Sequence, residues 1–137
     1  NRKTVITAAA GCEVNMAERL MSDGHQNVVS DTEIILNGDD SSARINSRSV
    51  AKGESTQLFY PKLTGNADCF GHVQCDSIIM DNAKIRSIPE ICANSVDARL
   101  VHEAAIGKIA GDQIMKLMTL GLTAEEAEEK ILNGLLK

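Results

Sequence analysis

The sequence predicts a mainly β chain: a solenoid of short strands over residues 1–109, then a two-helix segment over residues 110–137. Three observations carry this: a repeat of 28 residues, the near absence of aromatic side chains, and a change of hydrophobic period after Gly107. The repeat aligns Ser41–Val50 with Cys69–Ile78 and Asp97–Ile106. Apolar residues then fall in register, Ile45 with Val73 and Val101, and Val50 with Ile78 and Ile106. A period of this size marks a solenoid, whose repeats bury their apolar faces only against their neighbours.

With two Phe, one Tyr and no Trp among 137 residues, the interior must be built from Val, Ile, Leu, Ala and Met. Stacked aliphatic side chains fill a narrow solenoid, and the length suits one domain. The net charge of −5 and dispersed arginines argue against nucleic acid, which requires a concentrated basic surface. No apolar run approaches the length of a membrane span, and no signal peptide is visible. The chain opens on Asn1 rather than Met, consistent with a piece of a longer protein. Four cysteines without CxxC spacing read as reduced thiols, which places the protein in the cytoplasm.

Taken in order, Lys3–Ala10 reads as a strand, whereas Glu13–Met21 fits either a strand or a helical turn. Glu33–Leu36 precedes the turn pair Asn37-Gly38, Thr56–Tyr60 precedes Pro61, and Asp76–Met80 precedes Asp81-Asn82. After Gly107, Asp112 is placed to cap a helix through Gln113–Leu120, with Ile114, Leu117 and Met118 on one face and Gly121 as the left-handed stop. Thr123 and Glu126 form a capping box, with Leu122 and Ala127 at the staple positions. The helix they open carries Ala127, Ile131 and Leu135 on one stripe, with Leu132 beside it. The helices either close the open end of the solenoid or present a docking surface, and the two roles are compatible.

The register places Glu103 one coil above Cys75, with His102 adjacent, so that a thiol, an imidazole and a carboxylate share one patch. A thiolate can hold iron or accept sulfur, although a cysteine is as readily a small buried hydrophobe. His102 is a candidate metal ligand through a neutral ring nitrogen, set against an ordinary hydrogen-bonded histidine. Glu103 is a candidate oxygen ligand or proton relay, set against a solvated carboxylate. Cys12, Cys69 and Cys92 read as inert or structural, His72 as outward-facing, and His25 as a turn residue. No GxxxxGK[ST], GxGxxG or HExxH pattern occurs, so an ATP-driven step would have to come from a partner. A carbohydrate-cleaving β-helix is disfavoured by the three aromatics.

Gly71–Ser77 (GHVQCDS), Leu100–Ala104 (LVHEA), Gly107–Gln113 (GKIAGDQ) and Gly121–Ala127 (GLTAEEA) resemble, in order and spacing, the C-terminal core of the SufB and SufD proteins. These are scaffolds of the SUF iron–sulfur cluster assembly system. The resemblance covers roughly residues 70–135 and implies a right-handed parallel β-helix followed by C-terminal helices. It further implies that Cys75 and His102, with Glu103 as a further candidate, form the site of a transient nascent iron–sulfur cluster. It leaves flavin binding open. The helices, through residues such as Asp112, Ile114, Met115, Met118, Glu125 and Ile131, would dock a SufC-like ABC ATPase. Family members pair as SufB–SufD heterodimers or homodimers, and the combination of Cys75 with Glu103 is more similar to SufB. The implied function is that of a non-enzymatic assembly scaffold; the alternative is a structural, SufD-like subunit with an idle thiol. The chain is much shorter than full-length members, and Cys12 is a poor match to the upstream sulfur-accepting cysteine of SufB. Too few ligands for a closed site suits a scaffold that must release its cluster.

Overall fold

The structure, a computed structural model, describes residues 1–137. Nine strands precede two helices: β1 Arg2–Ala8, β2 Glu13–Ser22, β3 Asn27–Leu36, β4 Ser41–Ala51, β5 Thr56–Gly65, β6 Cys69–Ile79, β7 Lys84–Ser87, β8 Glu90–Ala93, β9 Arg99–Gly107, α1 Gly111–Thr119 and α2 Ala124–Leu136. Every strand pair is parallel. One sheet runs β1-β3-β5-β7, with β8 also on β5, and the other runs β2-β4-β6-β9. Each coil gives one strand to each sheet, so the chain is a parallel β-solenoid of about four turns, as the sequence predicts. No helix is long and apolar enough to cross a membrane.

Coil length is not constant. Arg2 lies opposite Ser30 and Ser41 opposite Cys69, a step of 28, whereas Glu13 lies opposite Ser42, Asn27 opposite Thr56 and Phe70 opposite Arg99, a step of 29. Side chains alternate between the lumen and the outer faces, most regularly in β4, β5 and β6.

The lumen is divided along its length. One half is aliphatic: Ile34, Leu36, Ile45, Leu63 and Val73 stack there almost wholly buried. The other half is polar. Ser22 pairs with Ser55 at 2.8 Å, Ser49 with Ser77 at 2.8 Å, and the Gln57 amide donates to Ser22 Oγ and the Val50 carbonyl. Pairing removes most of the cost of burying these groups.

The corners are pinned by side-chain ladders. Asn66 Nδ2 donates to Asn37 Oδ1 at 2.7 Å, and Asn94 Nδ2 donates to Asn66 Oδ1 at 2.8 Å. Gly38 follows the first of these asparagines because a Cβ there would fall inside the backbone of Ala10.

Two local expectations are corrected and one open alternative is resolved. Of the two readings open for Glu13–Met21, the structure shows the strand. Pro61 does not end its strand: β5 runs through it, and the break falls one coil later, where Ile88 and Pro89 separate β7 from β8 beside Tyr60 and Pro61. Prolines supply no ladder donor, so the sheet parts beside them. Asp112 is not a cap. Ala110 holds that position without a side-chain bond, and Asp112 lies in the first turn, where its charge favours the helix dipole.

Gly121 has the expected positive φ of 95° at the end of α1. The Thr123–Glu126 capping box is fully formed, with Thr123 N donating to Glu126 Oε2 at 2.8 Å and Glu126 N to Thr123 Oγ1 at 3.2 Å. Helix α2 lies on the outer face of the second sheet against β4, burying Ala127, Leu132 and the outward Val50. Leu132, beside the expected stripe, is the residue buried most deeply after Ala127. Arg19 Nε and an Arg48 guanidinium nitrogen each donate, at 3.3 Å, to the carbonyls of Lys137 and Leu135. Two stacked cations thus meet the negative end of the helix dipole. Helix α1 packs on α2 and buries none of its residues.

Candidate functional site

Cys75 projects from β6 into the lumen, at the boundary between the aliphatic and hydroxyl halves, and is only 3% exposed. Ser47 stands one coil below it and Ala104 one coil above. His102 projects inward from β9, opposite Val73, and its Nε2 lies 3.7 Å from Cys75 Sγ. Glu103 therefore does not sit over Cys75, as the 28-residue register requires. It stands opposite Gln74 on the outer face, with Oε2 at 3.1 Å from His72 Nε2. The physical reason is parity. The last step of the second sheet is 29, and a slip of one residue exchanges the two faces of a strand. The thiol and imidazole converge inside; the carboxylate and His72 pair outside.

Burial pushes the Cys75 thiol up to about 12; the Ser87 hydroxyl pulls it back in part, and the Asp76 and Glu18 charges add to the rise. Burial, and then the neighbouring His72, push His102 below its usual value. At neutral pH the pair is thus a thiol beside an uncharged imidazole whose free nitrogen is available to a metal. Deprotonation of the thiol requires a metal to displace its proton. Next to Cys75 is a cavity of about 10 Å³ lined by residues including Ser47, Ser77, Ser87, Gln57 and Phe59. That is room for about one water.

Two side chains in this region carry no mark in the repeat. Glu18 faces the lumen at 2% exposure, bound through Oε2 to Arg2 and to Ser30 Oγ, while its Oε1 has no partner. It occupies the same inward row as Ser47 and Cys75. The alternation of Val14, Met16 and Leu20 was the available signal. The other is Ser87, inward on β7, with a buried hydroxyl that lies near the Cys75 thiol but completes no well-formed hydrogen bond.

The remaining thiols lie apart. Cys12 is exposed, Cys69 is buried in the aliphatic half, and Cys92 points outward with Sγ at 3.7 Å from Glu90 Oε1; all four cysteines are free. A single chain gathers no group of three or more His, Cys, Asp or Glu side chains that could hold a metal ion. Among the residues expected to meet a partner, Asp112, Met115, Met118 and Glu125 are exposed, while Ile114 and Ile131 are half-buried.

Residues 1–135 match the family described as SUF system FeS cluster assembly, SufBD core domain. The chain is 37% identical over 113 residues to an iron–sulfur cluster assembly SufBD family protein of Methanocaldococcus jannaschii, covering 81% of this chain and 36% of the relative. It is 39% identical over 102 residues to one from Pyrococcus horikoshii, covering 74% and 31%. A third, from Methanothermobacter thermautotrophicus, is 36% identical over 107 residues, covering 77% and 26%. The chain thus spans between a quarter and somewhat over a third of the length of these curated relatives.

Proposed function

Because the chain belongs to the SufBD family of SUF-system iron–sulfur cluster assembly proteins, we propose that it is the part of an assembly scaffold that builds and hands on a nascent cluster. The observation that carries this is the convergence of Cys75 Sγ and His102 Nε2 at 3.7 Å beside the open last coil. Thiolates are the usual ligands of iron in clusters, and imidazole can replace them on one iron. Iron and sulfide are the cargo. Cys75 supplies a thiolate once its proton is displaced, and His102 supplies a neutral nitrogen. Glu103 sits at the outer rim with His72, where it orients the face a second subunit would meet.

Two strong donors per chain leave a cluster under-ligated, so completion requires a second SufB- or SufD-type subunit. Such a site releases its cargo more readily than four cysteines from one chain would. The chain itself acts as a scaffold rather than an enzyme, with residues 1–109 as its body. Residues 110–137 dock an ABC-type ATPase: Met115, Met118 and Leu120 project unburied from α1, and a surface of that kind invites a partner.

The test is anaerobic reconstitution with ferrous iron and sulfide, followed by visible absorption. The coloured species should form on the wild-type chain and be lost in Cys75→Ser. A Cys75→Ser protein that colours normally removes Cys75 from the mechanism. A second reading, a structural SufD-like subunit with an idle thiol, is favoured by the burial of Cys75. Under it, Cys75→Ser is silent, whereas removing residues 112–137 abolishes capture of a SUF-type ATPase.

A further inference from the structure

Among the lumen serines, Ser22 and Ser55 bond to each other, as do Ser49 and Ser77. Ser87 differs: its hydroxyl is buried, faces the same small cavity as Cys75, and stands close enough to that thiol to favour its ionised form, yet it completes no well-formed hydrogen bond. A buried hydroxyl left without a good partner works against folding. The orphan lies across the lumen from the thiol, on β7 of the opposite sheet, at the position stacked on Phe59. A neutral thiol is a poor acceptor and offers that hydroxyl little. A thiolate sulfur bound to iron is negatively charged and would complete it.

We propose that Ser87 is a positioning residue whose hydroxyl donates a hydrogen bond to the Cys75 sulfur when that sulfur is bound to the iron of a nascent cluster. The proposal rests on the reading of Cys75 as a cluster ligand. The bond fixes the rotamer in which Sγ also points toward His102, and it withdraws charge from the sulfur. Hydrogen bonds to ligand sulfur tune cluster potential and retention. The hydroxyl reaches Cys75 from the lumen side and leaves the open end of the coil to the cargo and the second subunit.

The experiment is anaerobic reconstitution of the full chain as wild type, Ser87→Ala, Ser87→Thr, Ser49→Ala and Cys75→Ser, with folding checked by circular dichroism. The visible absorption and circular dichroism of the cluster are recorded, followed by the rate of iron loss to a chelator. Ser87→Ala should shift the sulfur-to-iron charge-transfer bands and speed iron loss about 10-fold. Ser87→Thr, which keeps the hydroxyl, should restore both. Ser49→Ala, which removes a lumen hydroxyl already paired with Ser77, should change neither. Wild-type bands and lifetime in a folded Ser87→Ala protein overturn the proposal and leave the assignment of Cys75 intact. A cluster that persists in Cys75→Ser, or none in the wild type, overturns both.

Discussion

His102 reaches Cys75 diagonally: its Nε2 lies 3.7 Å from Sγ, although Val73 is its partner in the ladder and Ala104 stands over the cysteine. The imidazole thus crosses two residues of register, one step along the same face, to meet the thiol, and the inward face of β9 delivers it. Glu103, its neighbour in sequence, is delivered to solvent.

This division predicts unequal effects of substitution. If His102 ligates iron as proposed, His102→Ala should reduce iron retained after reconstitution by about 10-fold, whereas Glu103→Gln should stay within about 2-fold. Iron content per chain after gel filtration measures both. Equal losses would return Glu103 to the interior site.

Cys75 predicts a pH dependence of stability. Folding raises its thiol from 9.0 to about 12, so the native state prefers the protonated form. Below pH 9.0 both states carry the proton and the contribution is complete. Between 9.0 and about 12 the unfolded chain ionises first, and stability falls. Cys75→Ser should lose this slope. Urea unfolding of both proteins across that window checks the sign, and parallel pH profiles would count against a buried thiol.

Gly38→Ala should destabilise the chain by about 3 kcal/mol, since the new methyl collides with the backbone of Ala10 and a strand corner cannot yield cheaply. Gly107→Ala, with nothing near its Cβ, is the neutral control. Denaturant midpoints distinguish them.

Charged contacts add to the small apolar grip of the solenoid on α2. Arg19 and Arg48 hold the carbonyls of Lys137 and Leu135, Lys52 lies 3.9 Å from Glu128, and few side chains of α2 are buried. The double change Arg19→Gln with Arg48→Gln should therefore speed amide exchange across Ala124–Leu136 by about 10-fold while the strands keep their protection. High salt should do the same to the wild type. Unaltered exchange under both conditions would mean that packing alone holds the helix.

The coil architecture and the second helix were legible because their signals are local. Turn pairs at Asn37-Gly38 and Asp81-Asn82, and the box at Thr123–Glu126, declare themselves within four residues. The site was legible only as a neighbourhood. Ser41–Val50 and Cys69–Ile78 truly differ by 28, but the extra residue before β9 lies in a corner, where insertion costs little and leaves no mark in the pattern. That residue decides whether His102 or Glu103 enters the lumen. Ser87 was invisible for another reason: it belongs to the opposite sheet, and no repeat alignment relates it to Cys75.

The fourth coil has a neighbour on one side only, and β9 leads into α1 through three residues. Tension applied to the helices would pass into that outermost rung before any other. Peeling a single rung away removes Ala104 and His102 from above the sulfur while the three rungs beneath stay wound. The sulfur of Cys75 is therefore covered on that side by a single layer of backbone, the least supported in the stack.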